Sequence, residues 1–230
     1  MPTYLEVAVD VAREASALLN EFARQRVGFE LKGEHDLVTV ADRASEKLIV
    51  ERLQKEFPTH HILGEEGGDR EGSSEYRWYV DPLDGTTNFA HGLPIFCSSL
   101  ALEINGVAQL AAVYDPTRRE LFTAERGGGA FLNGRPMRVS AADSLIEAVL
   151  VTGFPYDVHA RVAEIVGLFA EFVGRARAVR RLGSAASTNS ACSTSSHSTT
   201  GDRPASCTGS TRATSAARSR ARVWTWAASS

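Results

Sequence analysis

The stretch WYVDPLDGTTNF, Trp78 to Phe89, decides how this chain is read. Trp78, Tyr79 and Val80 look like a strand entering a core. They run into two acids, Asp81 and Asp84, around Pro82, and Gly85 follows. Pro82 fixes its own φ and biases Asp81 to an extended conformation. The turn can therefore aim both carboxylates and the Leu83 carbonyl at one point. Oxygens gathered this way repel one another, and a divalent cation resolves the repulsion. Oxygen-only ligation favours Mg²⁺, Mn²⁺ or Ca²⁺ over zinc. Gly85 permits close backbone approach to a ligand. A helix starting at Gly85-Thr86-Thr87 would offer N–H groups to an anion such as phosphate. Metal-binding carboxylates beside phosphate donors make a phosphoryl-hydrolysis site. Asp-Pro-x-Asp-Gly is equally ordinary turn chemistry, an Asx cap followed by glycine at positive φ. This stretch alone does not choose between the two.

The surrounding chain has 230 residues, a formal net charge of -3 and 43% hydrophobic residues, enough for a sizeable core. The charge balance predicts neither nucleic acid nor an anionic membrane as partner. No apolar run approaches the length of a membrane span. The N-terminus carries acids where a signal peptide has its basic start, so a cytoplasmic location is expected. The three cysteines, Cys97, Cys192 and Cys207, lack metal-site spacing and suggest no disulfide framework.

Leu5, Ala8, Val11, Ala12, Ala15, Leu18, Leu19 and Phe22 recur at helical spacing. Ala41, Ala44, Leu48, Ile49 and Leu53 predict a second helix ending before Pro58. His61 to Gly64 reads as a strand. Ile95 to Ile104 and Val107 to Tyr114 flank Asn105-Gly106, a strong hairpin signal. Glu120 to Ala124 is another strand, and Asn133-Gly134 marks a second hairpin. The glycines of RGGGAFLNG read as turns. Val149 to Thr152 predicts a strand, and Val162 to Val173 a helix. The order implies α+β passing into α/β.

Two more acidic stretches bear on the opening motif. In HILGEEGG, Glu65 and Glu66 end a strand; a solvated glycine turn is the ordinary reading. In DLVTVADRASEKL, Asp42 fits the first turn of a helix, favoured by the helix dipole. Together DLVTVAD, ILGEE and WYVDPLDGTTNF resemble the signature of the inositol monophosphatase family of Mg²⁺-dependent, lithium-sensitive phosphatases. The resemblance runs from residue 1 to about 186 and includes VYDPTRRELFTAERGGGAFLNG. It implies a layered α/β sandwich. Glu65 and Asp81 resemble the carboxylates of a first metal site, with the Leu83 carbonyl, and Asp81 with Asp84 the pair serving a second. Asp42 and Thr86 resemble the pair that orients the attacking water beside Glu65. Gly85 and Thr86 sit where the family binds phosphate, and Gly183, Ser184 and Ala185 where it lines the substrate pocket. Lys32 falls in the family's mobile loop, but a surface lysine is the preferred reading. The implied reaction is attack of metal-activated water on a phosphate monoester without a phosphoenzyme. Cys97, His91, Ser98 and Ser99 form no nucleophilic triad and read as strand and loop residues.

The resemblance stops after Ala186. From Ser187 to Ser230 there is no Leu, Ile, Met or Phe, and the only acid is Asp202. Such a composition cannot offset its ordering entropy. The family's Trp-Asp, whose aspartate completes the second metal site, has no counterpart. These features suggest an N-terminal α+β metal- and phosphate-binding domain at 1–148, the start of a C-terminal α/β domain at 149–186, and a disordered, frameshifted tail at 187–230. A natural disordered tail is the alternative. The intact parent is expected to be a homodimer that hydrolyses a small phosphorylated polyol or sugar, foremost inositol monophosphate. It would hold two or three Mg²⁺, against one here, with activity impaired. A histidinol-phosphate or fructose-bisphosphate phosphatase is the alternative within the superfamily. A catalytically dead metal- or partner-binding protein is the alternative outside it.

Overall fold

The computed structural model describes residues 2–25, 29–31, 37–154 and 156–184. Lys32, Ala185, Cys192, Cys207 and the stretch 187–230 lie outside them. Two helices come first, α1 (Tyr4–Gln25) and α2 (Val40–Glu56), joined through the antiparallel pair β1 (Phe29–Leu31) and β2 (Leu37–Thr39). Both helices form as predicted, and α1 is amphipathic. Their buried apolar residues are Val7, Ala8, Val11, Ala12, Ala15 and Leu19 on α1, and Ala41, Ile49, Val50 and Leu53 on α2. Alanine at 8, 12 and 15 keeps α1 close to the sheet beneath it.

That sheet has seven strands in sequential order: β3 (His60–Gly64), β4 (Ser73–Asp84), β5 (Cys97–Ile104), β6 (Val107–Asp115), β7 (Glu120–Glu125), β8 (Gly129–Leu132) and β9 (Arg135–Pro136). β3 lies parallel to β4, and every later neighbour is antiparallel. Both Asn-Gly turns form. Asn105 and Gly106 have φ of 52° and 76°, and Asn133 and Gly134 have 50° and 77°. Positive φ at both central residues is the turn whose twist matches a hairpin. The glycine run departs from its prediction. Gly127 sits in a turn at φ 75°, but Gly129 opens β8, because Ala130, Phe131 and Leu132 pair with β7.

Alternation along the strands puts Trp78, Val80, Leu100, Leu102, Leu110 and Ala112 on the face that α1 and α2 cover. A smaller cluster of Leu19, Ala41, Leu83, Phe89 and Phe96 lies at the end of β4. Beyond the sheet, β10 (Val149–Val151) and β11 (Ala178–Arg180) pair in parallel, connected through α4 (Val162–Val173). No residue of α4 is buried by the described chain, and Val162, Val166, Leu168, Phe172 and Val173 are exposed. Among the described residues, no helix is long and apolar enough to cross a membrane.

At one edge of the core, His60 is stacked between Phe57 and Tyr76, with ring centroids 4.9 Å and 4.5 Å away. The Trp78 indole N–H donates to His60 Nδ1 at 3.0 Å, so that nitrogen must be unprotonated. Burial holds the imidazole below its ordinary value of about 6.5. As the pH falls, the unfolded chain takes up this proton before the folded one. Stability present above about pH 6.5 is therefore lost progressively below it. Urea denaturation between pH 7.5 and 5.0 should show that loss. His60→Gln, which keeps an acceptor but does not titrate, should flatten that part of the profile.

Candidate active site

The site grows from the end of β4. Pairing with β5 places Asp81 opposite Ser99 and Asp84 opposite Cys97. One extra residue on β4 makes a bulge, and Pro82, which has no N–H to give the ladder, sits within it. The Pro82 carbonyl accepts from Ser98 Oγ at 2.9 Å and Ser45 Oγ at 3.2 Å, which ties the bulge to β5 and to α2. The Asp81 carboxylate accepts the Leu83 N–H at 3.1 Å, so the turn is an Asx turn as well as a candidate ligand cluster. The Leu83 side chain is buried, which anchors the backbone whose carbonyl faces Thr86.

Gly85 follows at φ 97° and caps the short helix α3 (Thr86–Ala90). A side chain there would meet the Ile95 carbonyl at 2.8 Å and Ser184 Cβ at 3.2 Å. Glycine is thus required both by conformation and by space. α3 begins at Thr86, as the motif suggested, but has only five residues. Its dipole is correspondingly small.

Asp42 sits in the first turn of α2 and also reaches Thr86. Thr39 caps α2, and its side chain and the Asp42 carboxylate form a reciprocal capping box. The other carboxylate oxygen, Oδ1, accepts the Thr86 hydroxyl at 3.0 Å. Thr86 Oγ1 also lies 3.0 Å from the Leu83 carbonyl. Burial pushes the Asp42 carboxyl above the usual carboxylate range, and bonds from Thr39 and Thr86 offset part of that rise.

The remaining acids converge on Asp81. Burial first, then the charges of Glu65 and Asp84, hold its carboxyl well above the usual range. Glu65 itself is exposed at the end of β3, and Asp84 accepts the Ser184 hydroxyl at 2.6 Å. Among the described residues, no group of three His, Cys, Asp or Glu is already gathered tightly enough to hold an ion. The donor set nonetheless fits a hard cation. Glu65, Asp81, Asp84 and the Leu83 carbonyl are all oxygen donors, and a cation would relieve the repulsion that Asp81 feels.

Gly183 and Ser184 come to this site from beyond β11. Asn88 draws them in, a residue that motif reading passed over. Its amide donates to the Ile95 carbonyl at 2.9 Å and to the Leu182 carbonyl at 2.8 Å. Gly183 has φ 81°, and a Cβ there would lie 2.8 Å from the Asn88 amide. The partners are 94 residues apart in the chain, so no local pattern marks the contact. Cys97, Ser98 and Ser99 are buried strand residues, and His91 follows α3.

The inositol monophosphatase family model matches residues 1–194. The chain belongs to the inositol monophosphatase family. The Nus factor SuhB of Pseudomonas aeruginosa is 44% identical over 192 residues, covering 80% of this chain and 71% of that protein. The inositol-1-monophosphatase of Rhizobium meliloti is 44% identical over 177 residues, covering 76% and 66%. Among solved structures, the extragenic suppressor protein suhB of Bartonella henselae superimposes with a TM-score of 0.71 at 41% identity, covering 78% of this chain and 70% of that one. By family, then, this is a phosphatase for small phosphorylated substrates, and the family is generally metal-dependent. Membership also fixes the fold as the α/β sandwich expected of it.

Gly85→Ala should lower stability by about 2 kcal/mol, from strain at positive φ and the clash with Ile95. Urea denaturation measures the loss. Gly92→Ala, also at positive φ but with nothing within 4 Å, should cost less.

Proposed function

We propose that the chain's site is built for hydrolysis of a small phosphate monoester, foremost inositol monophosphate, with Mg²⁺ as the cation. The observation that carries this reading is the Thr86–Asp42 hydrogen bond set beside the Glu65, Asp81 and Asp84 carboxylates. The Rhizobium relative's name supports the choice of substrate. Glu65, Asp81, Asp84 and the Leu83 carbonyl would hold the metal. Bound there, Mg²⁺ would supply Lewis acidity toward water and toward the phosphate oxygens.

The chain's own residues handle the proton and the orientation. Thr86 Oγ1 donates its hydrogen to Asp42 Oδ1, which leaves its lone pairs as acceptors. They accept a hydrogen from the attacking water and aim its oxygen at phosphorus. As the water oxygen bonds to phosphorus and the bond to the alcohol oxygen breaks, the water's proton passes to Thr86 and the Thr86 proton to Asp42; the departing alkoxide takes a proton from solvent, and Asp42 returns its own to solvent, so that the alcohol leaves neutral. The raised carboxyl of Asp42 makes it the better acceptor. Gly85 and Thr86 offer backbone N–H groups to the phosphate. Gly183 and Ser184, drawn in by Asn88, line the side where the alcohol leaves.

Activity of this chain is reduced on the same reading, because the aspartate that would complete a second metal site has no counterpart. The family match ends at residue 194 of 230, so the last stretch lies outside the family's sequence pattern. We divide the chain accordingly into a site-bearing domain at 1–148, the start of a second domain at 149–186, and a tail. The name Nus factor on the Pseudomonas relative favours one second reading, a partner-binding role beside or in place of hydrolysis.

Calorimetry with Mg²⁺ should show binding that Asp81→Asn abolishes and Asp42→Asn only weakens. Phosphate release from inositol monophosphate should vanish in excess chelator. It should also run at least about tenfold below the Rhizobium enzyme assayed beside it, the scale expected for a lost metal ligand or its support. Equal loss of Mg²⁺ affinity in the two variants, or turnover undiminished by chelator, would overturn the assignment.

A further inference from the structure

The loop that carries Glu65 is gripped from behind by a residue outside the carboxylate cluster. Glu46 lies on α2 one turn after Asp42 and is only 4% exposed. Its Oε2 accepts the Glu66 N–H at 2.7 Å, and its Oε1 accepts the Gly68 N–H at 2.7 Å. Between these donors the chain reverses at Gly67, φ 93°. Arg70 then pairs antiparallel with Ile62 of β3, and Asp69 Oδ1 accepts the Gly64 N–H at 2.9 Å.

The flanking glycines record the same grip. A Cβ on Gly64 would lie 2.5 Å from Glu46 Oε2, and one on Gly68 would lie 2.5 Å from Oε1. Neither glycine has positive φ, so the backbone conformation does not demand glycine at either position. The buried carboxylate does. Two N–H donors aimed at two different oxygens also specify glutamate. Glutamine would turn an NH₂ group against one of them, and aspartate is a methylene short. Both bonds are of the stronger, charge-assisted kind.

We propose that Glu46 is the positioning residue for Glu65. The Glu66 N–H belongs to the peptide that directly follows the Glu65 Cα, so holding it fixes ψ of Glu65 and the direction in which its carboxylate leaves the loop. Positions 42 and 46 share one face of α2. The helix thereby sets the Thr86–Asp42 pair and the Glu65 loop in register from a single rigid element. The proposal rests on the reading of Glu65 and Asp81 as metal ligands.

The test is Mg²⁺ titration calorimetry and amide hydrogen exchange on the full chain and four variants. Glu46→Gln should weaken Mg²⁺ binding about tenfold, as loss of a ligand-orienting partner typically does. It should also speed exchange at Glu66 and Gly68. Glu51→Gln removes the same charge from α2 without touching the loop's N–H groups, and should match wild type. Gly68→Ala pushes the Glu46 carboxylate aside while leaving every carboxylate in place. It should reproduce Glu46→Gln, and decides the matter if that variant loses its near-ultraviolet dichroism. Asp81→Asn serves as the marker of the metal site. If Asp81→Asn loses binding while Glu46→Gln and Gly68→Ala bind like wild type, the positioning role is overturned and the metal site stands. If wild type binds Mg²⁺ no better than Asp81→Asn, the metal-site reading falls and the proposal with it.

Discussion

β4 crosses the core as an ordinary strand, with Trp78 and Val80 buried against α1 and α2, until it reaches Pro82. A proline has no hydrogen to give the neighbouring strand, so the ladder must break there, and it breaks as a one-residue bulge between Asp81 and Asp84. The bulge would be loose if nothing held it. Ser98 on β5 and Ser45 on α2 both donate to its Pro82 carbonyl, and the Leu83 side chain is sunk into the cluster of Leu19, Ala41, Phe89 and Phe96. Two carboxylates and a carbonyl are thus presented on a backbone fixed on three sides. The bulge supplies the candidate site's geometry, and the sandwich above it supplies the rigidity.

The same construction stores unfavourable electrostatics. Asp42 and Asp81 are both held above the usual carboxylate range, chiefly by burial, and Asp81 also by its acidic neighbours. Such groups lower the stability of the empty protein unless hydrogen bonds or a counter-charge offset them. For Asp42 the offset is built in through Thr39 and Thr86. For Asp81 the Leu83 N–H offsets part of it among the described residues, and the rest of the imbalance is what a cation would remove. The contrast between the two acids is the physical basis for giving them different proposed roles, one moving a proton and one holding a metal.

The β10–α4–β11 unit has a different character. It adds Gly183 and Ser184 to the site through Asn88, yet α4 buries none of its residues within the described chain. Val162, Val166, Leu168, Phe172 and Val173 form an apolar face that a soluble fold ordinarily covers. The unit is therefore tied to the rest at its polar end, where the site is, and the described residues leave its apolar end uncovered.

Features set by neighbouring residues were legible in the sequence alone. The helical spacing of α1 and α2 and the two Asn-Gly hairpins depend on backbone preferences within a few positions, and they form where expected. The three motif stretches, too, were legible as a family signature, because each is a contiguous run. β8 was obscured by its glycines, since pairing with β7 rather than local propensity makes it a strand. β11 is three residues that acquire meaning only beside β10. Asn88 and Glu46 lie inside the quoted stretches, yet nothing local marked what they hold. Their partners lie 94, 20 and 22 residues away, and an amide or a carboxylate reveals what it holds only when the chain has folded. Sequence by itself determined which side chains are available and which turns the backbone takes. Tertiary structure decided which oxygen faces which hydrogen, because that depends on the register of α2 against the loop after β3 and the bulge of β4, and no local rule sets that register.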